Sequence, residues 1–260
     1  MNGAGNDFIL IDNREAQISL SREQISKLCH RQRGIGADGL IYLCRSQGDG
    51  DWAWEFYNAD GSDAEMCGNG ARCFARYVQS QTDGPNEISF ETVCGIVRAS
   101  IQDEWVTISL TDPHGLILNE TITTSSGDKT GHCLNTGVPH AVLFVDDADR
   151  EMVADLGAEI RHHDYFSPEG TNVNFVQVKT NGHIRVRTYE RGVGETLACG
   201  TGVCASAMIS AKLQGWSSPV SVDVLGGDTL SVSFDRNGDE FTNVLLTGPA
   251  EFVYEGTVEV

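Results

Sequence analysis

Cys67-Gly68-Asn69-Gly70-Ala71-Arg72-Cys73-Phe74-Ala75-Arg76-Tyr77-Val78 and Cys199-Gly200-Thr201-Gly202-Val203-Cys204-Ala205-Ser206-Ala207-Met208-Ile209 are two renderings of one pattern. Each begins C-G-[NT]-G, a glycine-rich turn, and runs on into a stretch that predicts a helix. One copy would be a weak signal. Two copies, half the length apart in a chain of 260 residues, predict a duplicated domain in which each half presents one cysteine at a helix N-terminus.

The flanking sequence is rich in strands. Upstream, Phe8–Asp12, Leu40–Cys44 and Trp52–Tyr57 read as strands, and Ser21-Arg22-Glu23-Gln24 is a capping box that opens a helix running to about Arg31. After the first cysteine helix, strands are expected over 87–93, 95–101 and 105–110. The turn Thr111-Asp112-Pro113-His114-Gly115 is the expected boundary, giving domains 1–112 and 113–260. In the second half 141–145, 173–178 and 184–190 read as strands and 150–161 as a helix. A hairpin is expected over 220–234 around Gly226-Gly227-Asp228, and 244–246 and 252–260 read as closing strands, the last of them able to return to the first domain. The fold class is α+β: two similar domains facing one another across a cleft.

Composition narrows the function. The chain carries 37 acidic against 18 basic residues, a formal charge of −19, which argues against nucleic acid as a partner. No apolar run approaches the ~20 residues of a membrane span. The opening residues read as no secretory signal, so the expected setting is the cytoplasm, with the eight cysteines mostly reduced. There is no C-x-x-C and no zinc-finger spacing, and no metal site is expected. Cys29, Cys44, Cys94 and Cys133 read as small core residues.

A thiol at a helix N-terminus has its pKa lowered by the helix dipole and the unpaired N–H groups. The glycines that follow let backbone N–H groups approach an anion such as a carboxylate. Two such sites acting on one small anion suit a two-base stereoinversion, in which one thiolate removes an α-proton and the opposing thiol returns a proton on the other face. On spacing alone other readings stay open. The two turns can simply pack small residues beneath helices, and a cysteine hydrolase needs only one such residue with a paired histidine, although duplication argues against it.

The chain resembles the diaminopimelate epimerase family, cofactor-independent amino-acid epimerases with two opposed catalytic cysteines. Segments matching in order are Gly3–Phe8, Gly34–Gly39, Phe56–Ser62, Met66–Cys73, Pro139-His140, Gly170–Phe175, Tyr189–Gly192, Glu195-Thr196 and Ala198–Gly202. The resemblance implies two domains of one fold, each a mixed sheet wrapped around a central helix, and no cofactor. It implies interconversion of L,L- and meso-2,6-diaminopimelate in lysine and peptidoglycan precursor biosynthesis. Cys67 and Cys199 match the acid/base pair. His140 and Glu190 match residues that assist the cysteines or fix the ammonium group. Gly68, Asn69, Gly200 and Thr201 match the turns that bind the reacting carboxylate, and Asn6, Asn58, Asn172, Glu190 and Arg191 match other substrate-contacting positions. Arg191 is chemically suited to clamp a distal carboxylate.

Many members have Asn-Pro-His where this chain has Val138-Pro139-His140, which keeps a related racemase of another amino acid, such as histidine, as the alternative. A binding protein that kept the fold without the chemistry is a further alternative, and the presence of both cysteines argues against it. Expected partners are the small-molecule substrate and, at most, a second copy of the chain.

Overall fold

The structure, a computed structural model, describes every residue except Glu65. The chain divides into two compact units, Met1–Ser109 with Gly248–Val260, and Leu110–Thr247.

The first unit holds strands β1 (Asn2–Gly3), β2 (Asn6–Asp12), β3 (Gly39–Arg45), β4 (Trp52–Asn58), β5 (Glu87–Thr92), β6 (Gly95–Gln102) and β7 (Trp105–Ser109), with helices α1 (Arg22–Cys29) and α2 (Gly68–Thr82). Its strands lie in the order β1-β2-β3-β4-β5-β6-β7. The β2–β3 and β4–β5 pairs are parallel, and the others are antiparallel. Each parallel pair encloses a helix, α1 in the first case and α2 in the second, because parallel neighbours need a crossover.

The second unit repeats that plan. It holds β8 (His114–Thr124), β9 (Gly127–Asn135), β10 (Pro139–Phe144), α3 (Val153–Arg161), β11 (Asn172–Thr180), β12 (His183–Glu190), β13 (Gly194–Thr196), α4 (Gly200–Gln214), β14 (Val220–Asp223), β15 (Thr229–Asn237) and, up to Thr247, β16 (Glu240–Pro249). Its order is β16-β15-β14-β12-β11-β10-β9-β8, with β13 on β12. The parallel pairs are β10–β11 across α3 and β12–β14 across α4. Apart from β1 in the first unit and β8, β9 and the three-residue β13 in the second, the succession strand, helix, two strands, helix, three strands occurs in both units, and α2 and α4 are each 15 residues long. The duplication inferred from the paired cysteine motif is thus present in the connectivity.

In each unit the cysteine-led helix is the central one. Helix α2 packs against β1, β2, β3, β6 and β7, and α4 packs against β9, β10, β11, β12, β14 and β15. Every α4 residue from Gly202 to Ala211 is buried, as expected for a helix covered on all sides. Around α2 the core is aromatic: Phe74 lies 4.7 Å from Phe90 and 5.8 Å from Trp54, centroid to centroid, in tilted and edge-on geometries.

Three expectations need correction. Residues 252–260 form no strand; the last paired residue is Glu251, bridged to Asn2, and everything from Glu251 onward is exposed. Helix α1 ends at Cys29, because His30 is extended and Gly36 and Ala37 turn back to bond the carbonyls of Leu28 and Cys29. Cys94 is exposed in the β5–β6 turn beside Val93 and is no core residue.

Candidate active site

In the first unit Cys67 is the N-cap of α2, in extended conformation (φ −142°, ψ 117°), and its side chain does not cap the helix. The capping serine of α1, by contrast, accepts from the Gln24 N–H. The first turn behind Cys67, Gly68-Asn69-Gly70, is buried. The hairpin Gly3-Ala4-Gly5-Asn6 reaches this turn closely: a methyl on Gly3 would sit 2.8 Å from the Asn69 carbonyl oxygen. Ala4 and Gly5 both have positive φ (59° and 89°), the requirement of a two-residue hairpin of this hand, and for a buried alanine a strained one.

That hairpin aims Asn6 at the cysteine. Asn6 Nδ2 donates to Asp38 Oδ2 at 2.6 Å, so its oxygen faces the other way. Asn6 Oδ1 accepts from Asn69 Nδ2 and lies 3.3 Å from Cys67 Sγ, within reach of a thiol proton. Arg31 bridges Asp7 and Asp38, both at 2.8 Å, and holds the Asp38 end of the chain in place. Below the turn Arg72 is fully buried and donates to Asn69 Oδ1, the Gly68 carbonyl and the Pro249 carbonyl. Asn58 is exposed, and its amide nitrogen donates to Ser62 Oγ and the Asp63 carbonyl.

In the second unit Cys199 is the N-cap of α4 (φ −111°, ψ 107°), again without capping the helix through its side chain. Its Sγ lies 3.5 Å from Thr201 Oγ1, and Thr136 Oγ1 donates to the Thr201 carbonyl. Gly202 is pressed against its surroundings: a methyl there would stand 2.3 Å from Asn174 Oδ1 and 3.3 Å from Cys199 Sγ. His140 opens the buried part of β10, opposite Asn172 on β11. Burial, and then the charge of Arg191, push its pKa down to about 3, so the ring is neutral. Asn172 Oδ1 accepts from the Arg191 backbone N–H at 2.8 Å, and Glu190 Oε1 accepts from Thr196 Oγ1 at 2.6 Å across the β12–β13 pair. Arg191 Nη1 donates to the Glu169 carbonyl.

The sequence-derived candidates therefore fall into two groups, each within one unit. Cys67, Gly68, Asn69 and Asn6 come together in the first, with Asn58 serving its own turn. Cys199, Gly200 and Thr201 stand at the mouth of α4 in the second. His140, Asn172, Glu190 and Arg191 share the adjoining strand ends. Burial raises four further thiols, Cys73 to about 12 and Cys29, Cys44 and Cys133 to about 11, and leaves those four poor nucleophiles. Residues not anticipated as part of these groups are Arg72, Asp38, Asn174 and Thr188. Asn174 left a readable trace, a polar residue on the same strand face as Asn172 within the apolar run Val173-Asn174-Phe175-Val176.

Comparison with known proteins adds ancestry. The family model for diaminopimelate epimerase matches residues 1–114 and 132–253. A diaminopimelate epimerase of Hydrogenobaculum sp. is 45% identical over 98% of this chain and 95% of its own length. That of Aquifex aeolicus is 41% identical, also over 98% and 95%. Among solved structures, a Bacillus anthracis phenazine biosynthesis protein of the PhzF family aligns with 100% of this chain and 95% of its own at TM-score 0.75 and 13% identity. A hydroxyproline epimerase from Agrobacterium vitis aligns over 89% and 78% at TM-score 0.67 and 18% identity. At such identities those two structures speak for the two-domain fold alone. The family model spans most of the chain and the curated relatives match nearly all of it, and the chain belongs to the diaminopimelate epimerase family.

Proposed function

We propose that the protein interconverts L,L- and meso-2,6-diaminopimelate, with Cys67 and Cys199 as the two bases acting on opposite faces of one α-carbon. The observation that carries this reading is the repeated helix cap. In both units a cysteine stands at the N-cap of the buried central helix, ahead of a glycine-containing turn, with its sulfur not spent on capping the helix.

An α-proton of an amino acid is a weak acid, so its removal needs the developing negative charge to be held. The N–H groups of Gly68, Asn69, Gly200 and Thr201 are the donors for the substrate carboxylate, into which the electron pair delocalises as the carbon flattens. One sulfur begins as thiolate and takes the proton; the other begins as thiol and gives its own to the opposite face. After a turnover the two protonation states are exchanged, so one form of the enzyme accepts L,L-substrate and the other accepts meso.

Asn6 is suited to hold a thiol, since its oxygen faces Cys67 and would repel a thiolate. Glu190 and Arg191, with Asn172, are the groups for an ammonium and a distal carboxylate, which favours a substrate carrying a second amino-acid head over histidine. The compartment that goes with this chemistry is the cytoplasm, where thiols stay reduced.

The test is to assay Cys67→Ala and Cys199→Ala with L,L-diaminopimelate and with L-histidine. The expected outcome is inversion of diaminopimelate by the wild type alone, with both variants inactive and histidine untouched. Wild-type turnover by either variant would reject the two-thiol mechanism, and inversion of histidine would reject the substrate.

A further inference from the structure

Against the mouth of α4 lies a buried polar set on three adjacent strands: His140 on β10, Asn174 on β11 and Thr188 on β12. Its place is fixed by Gly202, whose missing methyl would meet both Asn174 Oδ1 and Cys199 Sγ. Asn174 is fully buried, and its partners determine which way its amide points. Its Nδ2 lies 3.1 Å from the Ala141 carbonyl, an atom that can only accept, so the nitrogen must face β10. Its Oδ1 accepts from Thr188 Oγ1 at 2.9 Å, across the β11–β12 register.

The same nitrogen lies 3.2 Å from His140 Nδ1. An NH₂ group has two hydrogens and nothing to accept with. One hydrogen serves the Ala141 carbonyl and the other is left for His140. Nδ1 must therefore be the bare, accepting nitrogen, and the ring proton sits on Nε2. An imidazolium would set an N–H against an N–H, in a buried site that already bears the charge of Arg191. Nε2 is itself buried and has no hydrogen-bond partner.

We propose that Asn174 is a positioning residue that locks His140 as the neutral Nε2–H tautomer, which makes His140 a fixed hydrogen-bond donor at the reacting centre and not a proton-transfer base. This rests on the reading that places His140 in the site. A buried donor without an acceptor is costly alone and favourable once an acceptor arrives. The substrate carboxylate is an acceptor of the right kind, and the charge that builds on it during proton removal strengthens such a bond. Asn174 thereby joins the donor to the Cys199 helix, whose close approach at Gly202 it receives.

The experiment uses the full chain with ¹⁵N-labelled histidine and reads long-range ¹H–¹⁵N couplings of the His140 ring. The expected result is a protonated Nε2 and bare Nδ1 throughout the range from roughly pH 5 to 8 in which an ordinary histidine titrates. In Asn174→Asp, a carboxylate faces Nδ1 and draws the proton there. The ring should then show Nδ1–H, and kcat should fall on the order of 100-fold or more, the usual loss for one preorganised donor, with KM little changed. A protonated Nδ1 in the wild type overturns the proposal whatever the activity, even if Asn174→Asp fails to fold. A flipped tautomer with undiminished kcat also overturns it, and leaves the two-cysteine reading to be judged by the cysteine variants alone.

Discussion

Gly202 is the residue at which the local rules and the site disagree. Alanine is favoured over glycine in a helix interior by about 1 kcal/mol. Yet a methyl at 202 would stand 2.3 Å from Asn174 Oδ1 and press on Cys199 Sγ. Gly202→Ala is accordingly expected to cut kcat/KM by roughly 100-fold, the cost of displacing a reacting group by about an ångström, while the melting temperature changes little; steady-state kinetics and a thermal melt check both. Arg72 shows the opposite pattern, a charge with a structural task. Replacing it with Met leaves the Gly68 and Pro249 carbonyls and Asn69 Oδ1 short of a donor, at a cost of roughly 2–5 kcal/mol by urea denaturation. The cysteines and glycines of the site are legible in the sequence because their chemistry depends on residue type and spacing. Arg72 stands in the same motif, but spacing does not mark an arginine as buried, since charged side chains are seldom so. Asn174 and Thr188 are legible only once strand register sets them face to face.

At the scale of elements, the two central helices and most strands follow from alternation, capping and glycine turns. The capping box of α1 is present in both directions, Ser21 to Gln24 and back. Strands β8 and β9 were not anticipated. β8 is an edge strand whose only buried residues are Ile122 and Thr124, so its sequence carries little hydrophobic alternation to read. The closing stretch misled in the other direction. Phe252, Val253, Tyr254, Val258 and Val260 look like a strand by composition, but they find no ladder and stay exposed. The bonds that matter lie just before. Pro249 accepts from Arg72, Ala250 N–H donates to the Glu104 carbonyl, and Glu251 exchanges both backbone bonds with Asn2. Truncation after Glu251 is therefore expected to leave melting temperature and activity nearly unchanged, whereas truncation after Thr247 should lower the melting temperature by several degrees or prevent folding of the first unit; calorimetry of the two forms separates these outcomes.

For the whole molecule the repeated connectivity was legible from one duplicated motif, because a helix that must open on a reactive cysteine carries its glycines with it. The buried titratable groups were not, and they set the response to acid. His140 has a pKa near 3 in the folded protein against an ordinary 6.5. The unfolded chain thus takes up a proton that the folded chain refuses. Stability is full above pH 6.5 and declines by about 1.4 kcal/mol per pH unit as pH falls toward 3. At Asp7, burial favours the neutral form, but the hydrogen bonds and charge of Arg31 outweigh it, so its pKa is lowered and its contribution is lost only below the ordinary 3.8. Urea denaturation of His140→Gln should show a smaller stability loss than the wild type between pH 7 and 5, by about 2 kcal/mol. The central claim, two sulfurs serving one carbon from opposite faces, is most directly tested by following L,L-diaminopimelate in D₂O at low conversion. Two single-proton bases predict deuterium at the inverted carbon of the meso product, while the remaining L,L-substrate keeps its protium. Deuterium entering substrate as fast as product, or protium carried intact into product, would mean that a single base serves both faces.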